Sequence, residues 1–293
     1  MIIPFAAGGP TDVIGRLLAQ RAGQFLGQQI IVENVTGGGG TTGSLRVAKA
    51  APDGHTIVLG NLGSHAASVG IYKNLAYDPL ADFEPVMLVA KTLMVLVVKK
   101  EMPVKTLREF LAYAQTNKGK LSFGSAGVGS IAHLTLVLFN SLTKLDIQHV
   151  PYRGTSQAMN DILSGQIDGM FDQVVTTAPQ ILSAGVKAIV VAAPDRAAQV
   201  PDIPNSTEAG MPDMVTIAWS ALFFPKATPR PIVERMNTAI DQAMREQEIA
   251  RRMAELGADL PVPQQRTPQH LASFTRSEID KWVPVIRAAG VSE

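Results

Sequence analysis

Two glycine-rich turns have the residue types and spacing most suited to binding chemistry. Residues 5–12 and residues 123–130 each run from the end of a short apolar segment into the start of a predicted helix. Glycine lets the backbone approach a ligand closely, and the free N–H groups of a first helical turn favour an anion. Because neither turn contains Lys or Arg, we predict binding through backbone amides, hydroxyls and water. The candidate ligand contacts in these turns are Phe5, Ala6, Gly8, Gly9, Thr11, Asp12, Gly129, Ser130, Ile131 and Ala132.

Each turn also fits an ordinary connection between a strand and a helix. Asp12 either contacts a ligand or complements the positive end of the helix dipole. His133 either orients a carboxylate or packs at the start of its helix. The sequence alone leaves these alternatives open.

Further candidates follow the predicted strands, because open α/β sheets bind ligands at the carboxyl ends of their strands. Asn61, Ser64 and His65 come after one strand, and Tyr152 follows another. Asp172 closes a third strand and either accepts a hydrogen bond from a ligand or caps the helix near Thr176. Tyr152 and Arg153 either line the cleft or brace a hinge. We expect Arg153 to be the only guanidinium near these turns.

The composition excludes several functional classes. The chain has 293 residues, 46% hydrophobic, with 26 basic against 25 acidic residues and a net charge of +1. This balance, without any basic run, argues against nucleic acid as a partner. The absence of cysteine excludes disulfides, thiolate catalysis and cysteine-bound zinc, and the five histidines form no metal-spaced pair. We therefore expect neither a metal nor a cofactor.

Two glycine motifs and one missing motif bear on enzyme function. Residues 127–132 match a loose dinucleotide fingerprint, but no acidic residue closes the next strand. Residues 38–44 have phosphate-loop glycine spacing, with Ser44 where the lysine belongs. No Gly-x-Ser-x-Gly elbow of a hydrolase occurs. A nucleotide site or a serine hydrolase site is therefore not expected.

Short apolar runs alternate with longer periodic segments, which is typical of βαβ units. The predicted strands are residues 30–33, 56–59, 93–98, 121–124, 147–150, 169–171 and 188–192. The predicted helices are residues 11–26, 41–50, 107–117, 131–143, 156–163, 174–184, 232–245, 248–256 and 269–289, with no strand among the last three. Thr106, Thr228 and Thr267 are the predicted N-caps of their helices.

Two long apolar stretches, residues 84–99 and 215–224, bracket a self-contained central block. They predict a two-lobed α/β fold in which one domain is inserted into the other, with a ligand cleft and two crossing hinge strands. We place lobe 1 at residues 1–100 plus 216–293, with a C-terminal helical cap, and the inserted lobe 2 at residues 101–215. No apolar stretch reaches the length of a spanning helix, so we expect a soluble protein. The first strand is only a stub at Ile2 and Ile3, so we expect upstream sequence that includes a signal peptide.

The chain as a whole resembles the Bug-type solute receptors of tripartite tricarboxylate transporters. The residues that carry this resemblance occur in order along the chain: Pro4-Phe5-Ala6-Ala7-Gly8-Gly9-Pro10-Thr11-Asp12, Glu33-Asn34, Gly43, Ala51-Pro52-Asp53-Gly54-His55-Thr56, Tyr77-Asp78-Pro79, Gly124-Ser125-Ala126-Gly127, Ser130, His133-Leu134, His149-Val150-Pro151-Tyr152-Arg153-Gly154, Phe171-Asp172, Glu208-Ala209-Gly210 and Lys281-Trp282. Each motif is weak by itself, whereas the ordered set is specific. The chain departs from the family pattern at residues 68–72 and at Arg153, where Lys is common.

The resemblance implies a two-lobed receptor with a periplasmic-binding-protein-like fold, which closes on a small carboxylate and delivers it to membrane transporter subunits without performing chemistry on it. We expect the receptor to be a periplasmic monomer. The ligand carboxylate would be held, partly through ordered waters, by the loop at residues 5–12 and by the loop around Ser130. Two rival hypotheses remain. One is an α/β enzyme that acts on a carboxylate with His65, His133 or Asp172 as acid or base; the other is a pure interaction domain.

Overall fold

A computed structural model describes residues 1–291, which divide into two compact units. Unit 1 comprises Met1–Lys91, Trp219–Glu255 and the chain from Asp259 onward, and unit 2 comprises Thr92–Ala218 with Leu256–Ala258. The predicted lobe limits at residues 100 and 215 stay a prediction.

The secondary structure alternates between strands and helices over most of the chain. The strands are β1 (Ile2–Ile3), β2 (Glu33–Asn34), β3 (Val58–Asn61), β4 (Phe83–Lys99), β5 (Ser122–Ser125), β6 (Gln148–Pro151), β7 (Gly169–Gln173), β8 (Val186–Val191), β9 (Ile217–Pro225) and β10 (Ala258–Asp259). The helices are α1 (Pro10–Leu26), α2 (Thr41–Ala48), α3 (Ser68–Ile71), α4 (Leu107–Thr116), α5 (Ile131–Thr143), α6 (Thr155–Leu163), α7 (Val174–Leu182), α8 (Arg230–Arg245), α9 (Gln247–Glu255) and α10 (Pro268–Ala288). Short 3₁₀ turns at Gly38–Gly40 and Pro263–Gln265 and a π-helical turn at Gly63–Ala67 complete the described elements.

Unit 1 contains the strand order β2-β1-β3-β9-β4. β1 is parallel to both β2 and β3, with Ile2 opposite Glu33 and Val58, whereas β3 and β9 are antiparallel. Helix α1 lies over β1 and β3, because a Cβ on Gly15 would come within 2.6 Å of Ile3 and 3.0 Å of Leu59. The parallel strands β1 and β3 therefore end at the same edge of the sheet, where α1 begins.

Unit 2 is built on β7, which is antiparallel to β4 and parallel to β5. β6 extends the sheet parallel to β5, and β8 pairs with β4. Phe110, Phe123, Phe139 and Phe171 form a buried aromatic cluster with ring centroids 5.4–6.2 Å apart. β5, β6 and β7 are parallel, so their carboxyl ends share one edge.

Three details of the predicted elements are wrong. Residues 30–32 are not strand, because β1 provides only two residues to pair with and β2 is limited to Glu33 and Asn34. A two-residue strand, β10, lies between α9 and α10 and pairs with β4, and it is too short to leave a periodic pattern. Thr228 does not cap α8; its hydroxyl donates to the Pro225 carbonyl, and Pro229 occupies the N-cap position.

The other two predicted N-caps are confirmed. The Thr106 hydroxyl accepts the Glu109 N–H at 3.2 Å, and the Thr267 hydroxyl accepts the His270 N–H at 3.1 Å. Within the described residues, no helix combines the length and the apolar character that crossing a membrane requires.

Candidate functional site

The first glycine turn links β1 to α1 in unit 1 and folds back on the first turn of that helix. Gly9 is the N-cap and Pro10 the first helical residue, so no side chain caps the N–H groups of α1 in the described structure. Gly8 has a left-handed φ of 76° and donates its N–H to Asp12 Oδ2 at 2.9 Å. The loop shape is therefore set by a hydrogen bond from its backbone to the helix that it precedes.

Asp12 connects this turn to two other side chains. Its buried carboxylate accepts hydrogen bonds from Arg16 Nε at 2.9 Å and from Asn34 Nδ2 at 2.9 Å. Asn34 Nδ2 also donates to the Phe5 carbonyl at 2.9 Å. Burial acts to raise the pKa of Asp12, but the hydrogen bonds from Arg16, Gly8 and Asn34 outweigh it and hold the pKa below its ordinary value. Asp12 therefore braces the turn as a carboxylate.

The expectation that Arg153 is the only guanidinium near the turns is wrong. Arg16 lies one helical turn after Asp12 and forms an ion pair with it at 2.9 Å. Its Nη2 also donates to Asn34 Oδ1 at 2.9 Å. The charge of this arginine is thus already matched by a carboxylate of the same helix.

The loop after β3 is held by its own hydrogen bonds. The Asn61 N–H donates to Ser64 Oγ at 3.1 Å, and the Ser64 N–H donates to Asn61 Oδ1 at 3.2 Å. A side chain on Gly40 would meet both the Phe5 ring, at 2.8 Å, and Ser64 Cβ, at 3.2 Å. The loop after β3 and the first glycine turn are therefore neighbours at one edge of unit 1.

His65 lies inside the core of unit 1. Its ring stacks on Phe223 with a centroid distance of 4.1 Å and contacts Phe83, and Ser64 Oγ lies 2.9 Å from its Nδ1. Nε2 is buried without a hydrogen-bond partner in the described structure. Burial lowers the pKa of His65 to about 3, so the imidazole is neutral.

The second glycine turn links β5 to α5 in unit 2. Ser130 is the N-cap, and its hydroxyl accepts the His133 N–H at 3.4 Å. Gly129 has a left-handed φ of 82° and donates its N–H to His133 Nδ1 at 3.1 Å. Because Nδ1 accepts this bond, His133 is the tautomer that carries its proton on Nε2.

A second histidine supports the same turn from β6. His149 stacks on His133 with a centroid distance of 4.0 Å, and its Nε2 lies 2.5 Å from Ser125 Oγ. That hydroxyl also accepts the Gly127 N–H at 3.0 Å. Burial lowers the pKa of His133 to about 3, with a contribution from His149, and lowers the pKa of His149 to about 4. Both imidazoles are therefore neutral.

Tyr152 and Asp172 lie at the same edge of unit 2, at the ends of β6 and β7. The Tyr152 hydroxyl donates to Asp161 Oδ2 at 2.6 Å. Asp172 is 1% exposed and accepts the Thr176 hydroxyl at 2.7 Å, while its Oδ1 is buried without a hydrogen-bond partner in the described structure. Burial raises the pKa of Asp172 to about 6, opposed by the hydrogen bond from the Thr176 hydroxyl.

The structure brings the candidate residues together in two groups, one at the carboxyl edge of each unit. Their roles as ligand contacts stay predictions. Sequence reasoning assigned no role to four residues that shape the two turns: Arg16, Asn34, Ser125 and His149. Arg16 could have been found from its i, i+4 spacing to Asp12.

A cavity of about 920 Å³ in unit 1 lies away from both groups. It is lined by Met1, Ile2, Ile31, Ile57 and Phe224, among others. Met1, Ile2 and Ile57 lie at the amino ends of β1 and β3, and Phe224 lies near the end of antiparallel β9, so the cavity is at the edge opposite the first glycine turn. This cavity is therefore separate from the predicted ligand contacts.

The fold is that of the two-lobed periplasmic solute-binding proteins. The chain superimposes on the periplasmic binding protein BugD with a TM-score of 0.97 at 34% identity, covering 100% of this chain and 98% of BugD. It matches MatC from Rhodopseudomonas palustris, solved with bound malate, at 42% identity and a TM-score of 0.94, over 97% of each chain. A second R. palustris protein, solved with adipate, is 30% identical, with a TM-score of 0.94 over 99% of this chain and 96% of that protein.

Residues 14–291 match the model of the tripartite tricarboxylate transporter family receptor. The chain therefore belongs to this receptor family. The predicted family resemblance and the predicted two-lobed α/β fold are both confirmed.

Proposed function

We propose that this chain is a periplasmic receptor that captures a small carboxylate and delivers it to the membrane subunits of a tripartite transporter. The observation that carries this proposal is the pair of glycine turns that end at helix N-termini without a Lys or Arg in either turn. Helix N-termini and loop amides favour an anion. Family membership supplies the link to transport.

Short dicarboxylates are the first ligands to consider. MatC, at 42% identity, was solved with malate, and the protein at 30% identity was solved with adipate. In our proposal each glycine turn binds one end of the dicarboxylate, or both turns share one carboxylate. Tricarboxylates, acidic amino acids and aromatic acids remain the other classes in our proposal.

In the proposed mechanism, a carboxylate docks on the first turn of α1 and the second unit closes over it. Thr11 and Ser130 contribute hydroxyls next to the helix amides, and ordered waters complete the contacts. The segments that change unit, β4 and β9, are the proposed hinge. The receptor acts as a monomer and without a metal or a cofactor.

We further propose that the chain performs no chemistry on its ligand. His133 uses Nδ1 to hold Gly129, and the His65 ring is enclosed by Phe223 and Phe83. Both arrangements favour structural roles over acid or base catalysis. Turnover of a bound acid, followed by NMR of the acid itself, would instead support an enzyme.

A thermal-shift screen of the purified chain tests the receptor proposal. Malate, adipate, citrate, glutamate and benzoate represent the ligand classes, and the dimethyl ester of malate controls for charge. A ligand present at 100 times its Kd stabilises the folded state by about 2.7 kcal/mol, which raises Tm measurably. Folded protein that responds to none of these acids would refute the proposal.

A matched pair of variants then tests the site. Thr11 is the second residue of α1 and is 3% exposed. Thr11→Val removes its hydroxyl and should weaken malate binding by about tenfold, the effect of one lost hydrogen bond. Thr207→Val makes the same change at an exposed turn and should leave binding unchanged. Equal affinities for the two variants would place the ligand elsewhere.

A further inference from the structure

The two glycine turns share one hydrogen-bonding device. In each turn the residue before the N-cap is a glycine with a left-handed φ, Gly8 at 76° and Gly129 at 82°. Each glycine donates its N–H to the side chain of the third helical residue, at 2.9 Å to Asp12 Oδ2 and at 3.1 Å to His133 Nδ1. A side-chain acceptor four residues ahead therefore fixes the shape of both turns.

The two acceptors differ in charge. Asp12 is an anion, and its charge is matched by the ion pair with Arg16 at 2.9 Å. His133 is buried and stacked on His149, and its Nδ1 can accept a hydrogen bond only while the ring is neutral. A neutral acceptor holds Gly129 without placing a negative charge at the N-terminus of α5, where such a charge would oppose an anionic ligand.

We propose that His133 is a positioning residue. As the neutral tautomer with its proton on Nε2, it holds Gly129 so that the second glycine turn keeps its anion-binding shape. This inference rests on the proposed function, because it assigns the turn to a carboxylate. His133 acts through the backbone of Gly129. The His133 side chain gives the turn its shape, and because it is neutral it leaves the positive end of the α5 dipole available to an anionic ligand.

Four substitutions at this position separate hydrogen bonding from charge. All four variants lose the imidazole ring and its stacking on His149, so a difference between two variants does not come from the loss of stacking. In His133→Asn, Oδ1 takes the place of Nδ1, whereas in His133→Gln the amide oxygen reaches the place of Nε2. His133→Ala has no acceptor, and His133→Asp has the acceptor but adds a negative charge.

The first measurement is amide hydrogen exchange at Gly129, which needs no ligand. We expect the Asn and Asp variants to keep the protection of the Gly129 N–H within about threefold of the wild type. The Gln and Ala variants should lose about tenfold, the effect of one net hydrogen bond. A ¹⁵N spectrum of the wild-type imidazole should show the proton on Nε2.

The second measurement is calorimetric titration with malate. The Asn variant should bind within about threefold of the wild type, and the Gln and Ala variants about tenfold more weakly. The Asp variant should also bind about tenfold more weakly, although its Gly129 amide stays protected. Equal exchange rates in the Asn and Gln variants, or a proton on Nδ1, would overturn the proposal. If the wild type fails to bind malate while the exchange pattern holds, the malate assignment is wrong and the positioning of Gly129 by His133 stands.

Discussion

Asp172 should destabilise the folded protein at neutral pH, and Asp172→Asn should relieve this. The carboxyl is 1% exposed at the end of β7, and Thr176 donates to one of its oxygens. Burial is the largest of the effects that shift the pKa of Asp172, and no charged side chain contributes to the shift. The amide of Asn keeps an acceptor for the Thr176 hydroxyl and requires no desolvation of a charge.

The magnitude follows from the raised pKa. The difference between about 6 in the folded protein and the ordinary 3.8 corresponds to about 3 kcal/mol at 1.36 kcal/mol per pKa unit. Because the folded state binds this proton more tightly than the unfolded state, stability from Asp172 rises as pH falls from about 6 toward 3.8. Above pH 6 the ionised carboxylate has its full destabilising effect.

Urea denaturation of the wild type and Asp172→Asn between pH 4 and pH 8.5 measures this difference directly. We expect the variant to be more stable by up to about 3 kcal/mol at pH 8, with the gain disappearing as pH approaches 4. Asp213→Asn, at an exposed turn, controls for the general loss of a negative charge. A pH-independent difference between the wild type and Asp172→Asn would refute the reasoning.

Three further predictions concern unit 1. Gly60→Ala should lower the free energy of unfolding by about 2 kcal/mol, because a Cβ there would lie 2.2 Å from His65 Nδ1; an unchanged urea midpoint would contradict this contact. Asn34→Ala should cost about 1–3 kcal/mol and speed amide exchange at Gly8, since the loop loses its bridge to Asp12; unchanged exchange would show that the bridge does not hold the loop. In the wild type, the free energy of unfolding should fall as pH drops from 6.5 to about 3, because His65 takes up a proton more readily in the unfolded state than in the folded state. His65→Phe should reduce this fall; an equal dependence on pH in the variant and the wild type would show that His65 does not cause it.

Local signals predicted most helices well, and nonlocal pairing explains where prediction failed. Helix α5 has the predicted limits of residues 131–143, because an N-cap serine precedes a strongly apolar segment. The extent of β2 could not be predicted, because it depends on the two residues that β1 offers as partners. Asn34 and His149 reach the glycine turns only through sheet pairing, so their sequence positions give no indication of these contacts.

Neither glycine turn contains a Lys or an Arg, which suits the proposed receptor because it must release what it binds. A buried Lys or Arg that paired with the ligand would lose its partner each time the ligand left, and an unpaired buried charge costs several kcal/mol. Arg16 is half exposed and pairs with Asp12 of the same helix, so its charge does not depend on a ligand. Backbone amides, by contrast, exchange a carboxylate for water at small cost. The same reasoning favours a neutral imidazole at His133, since its bond to Gly129 is made within the turn and does not depend on whether a ligand is bound.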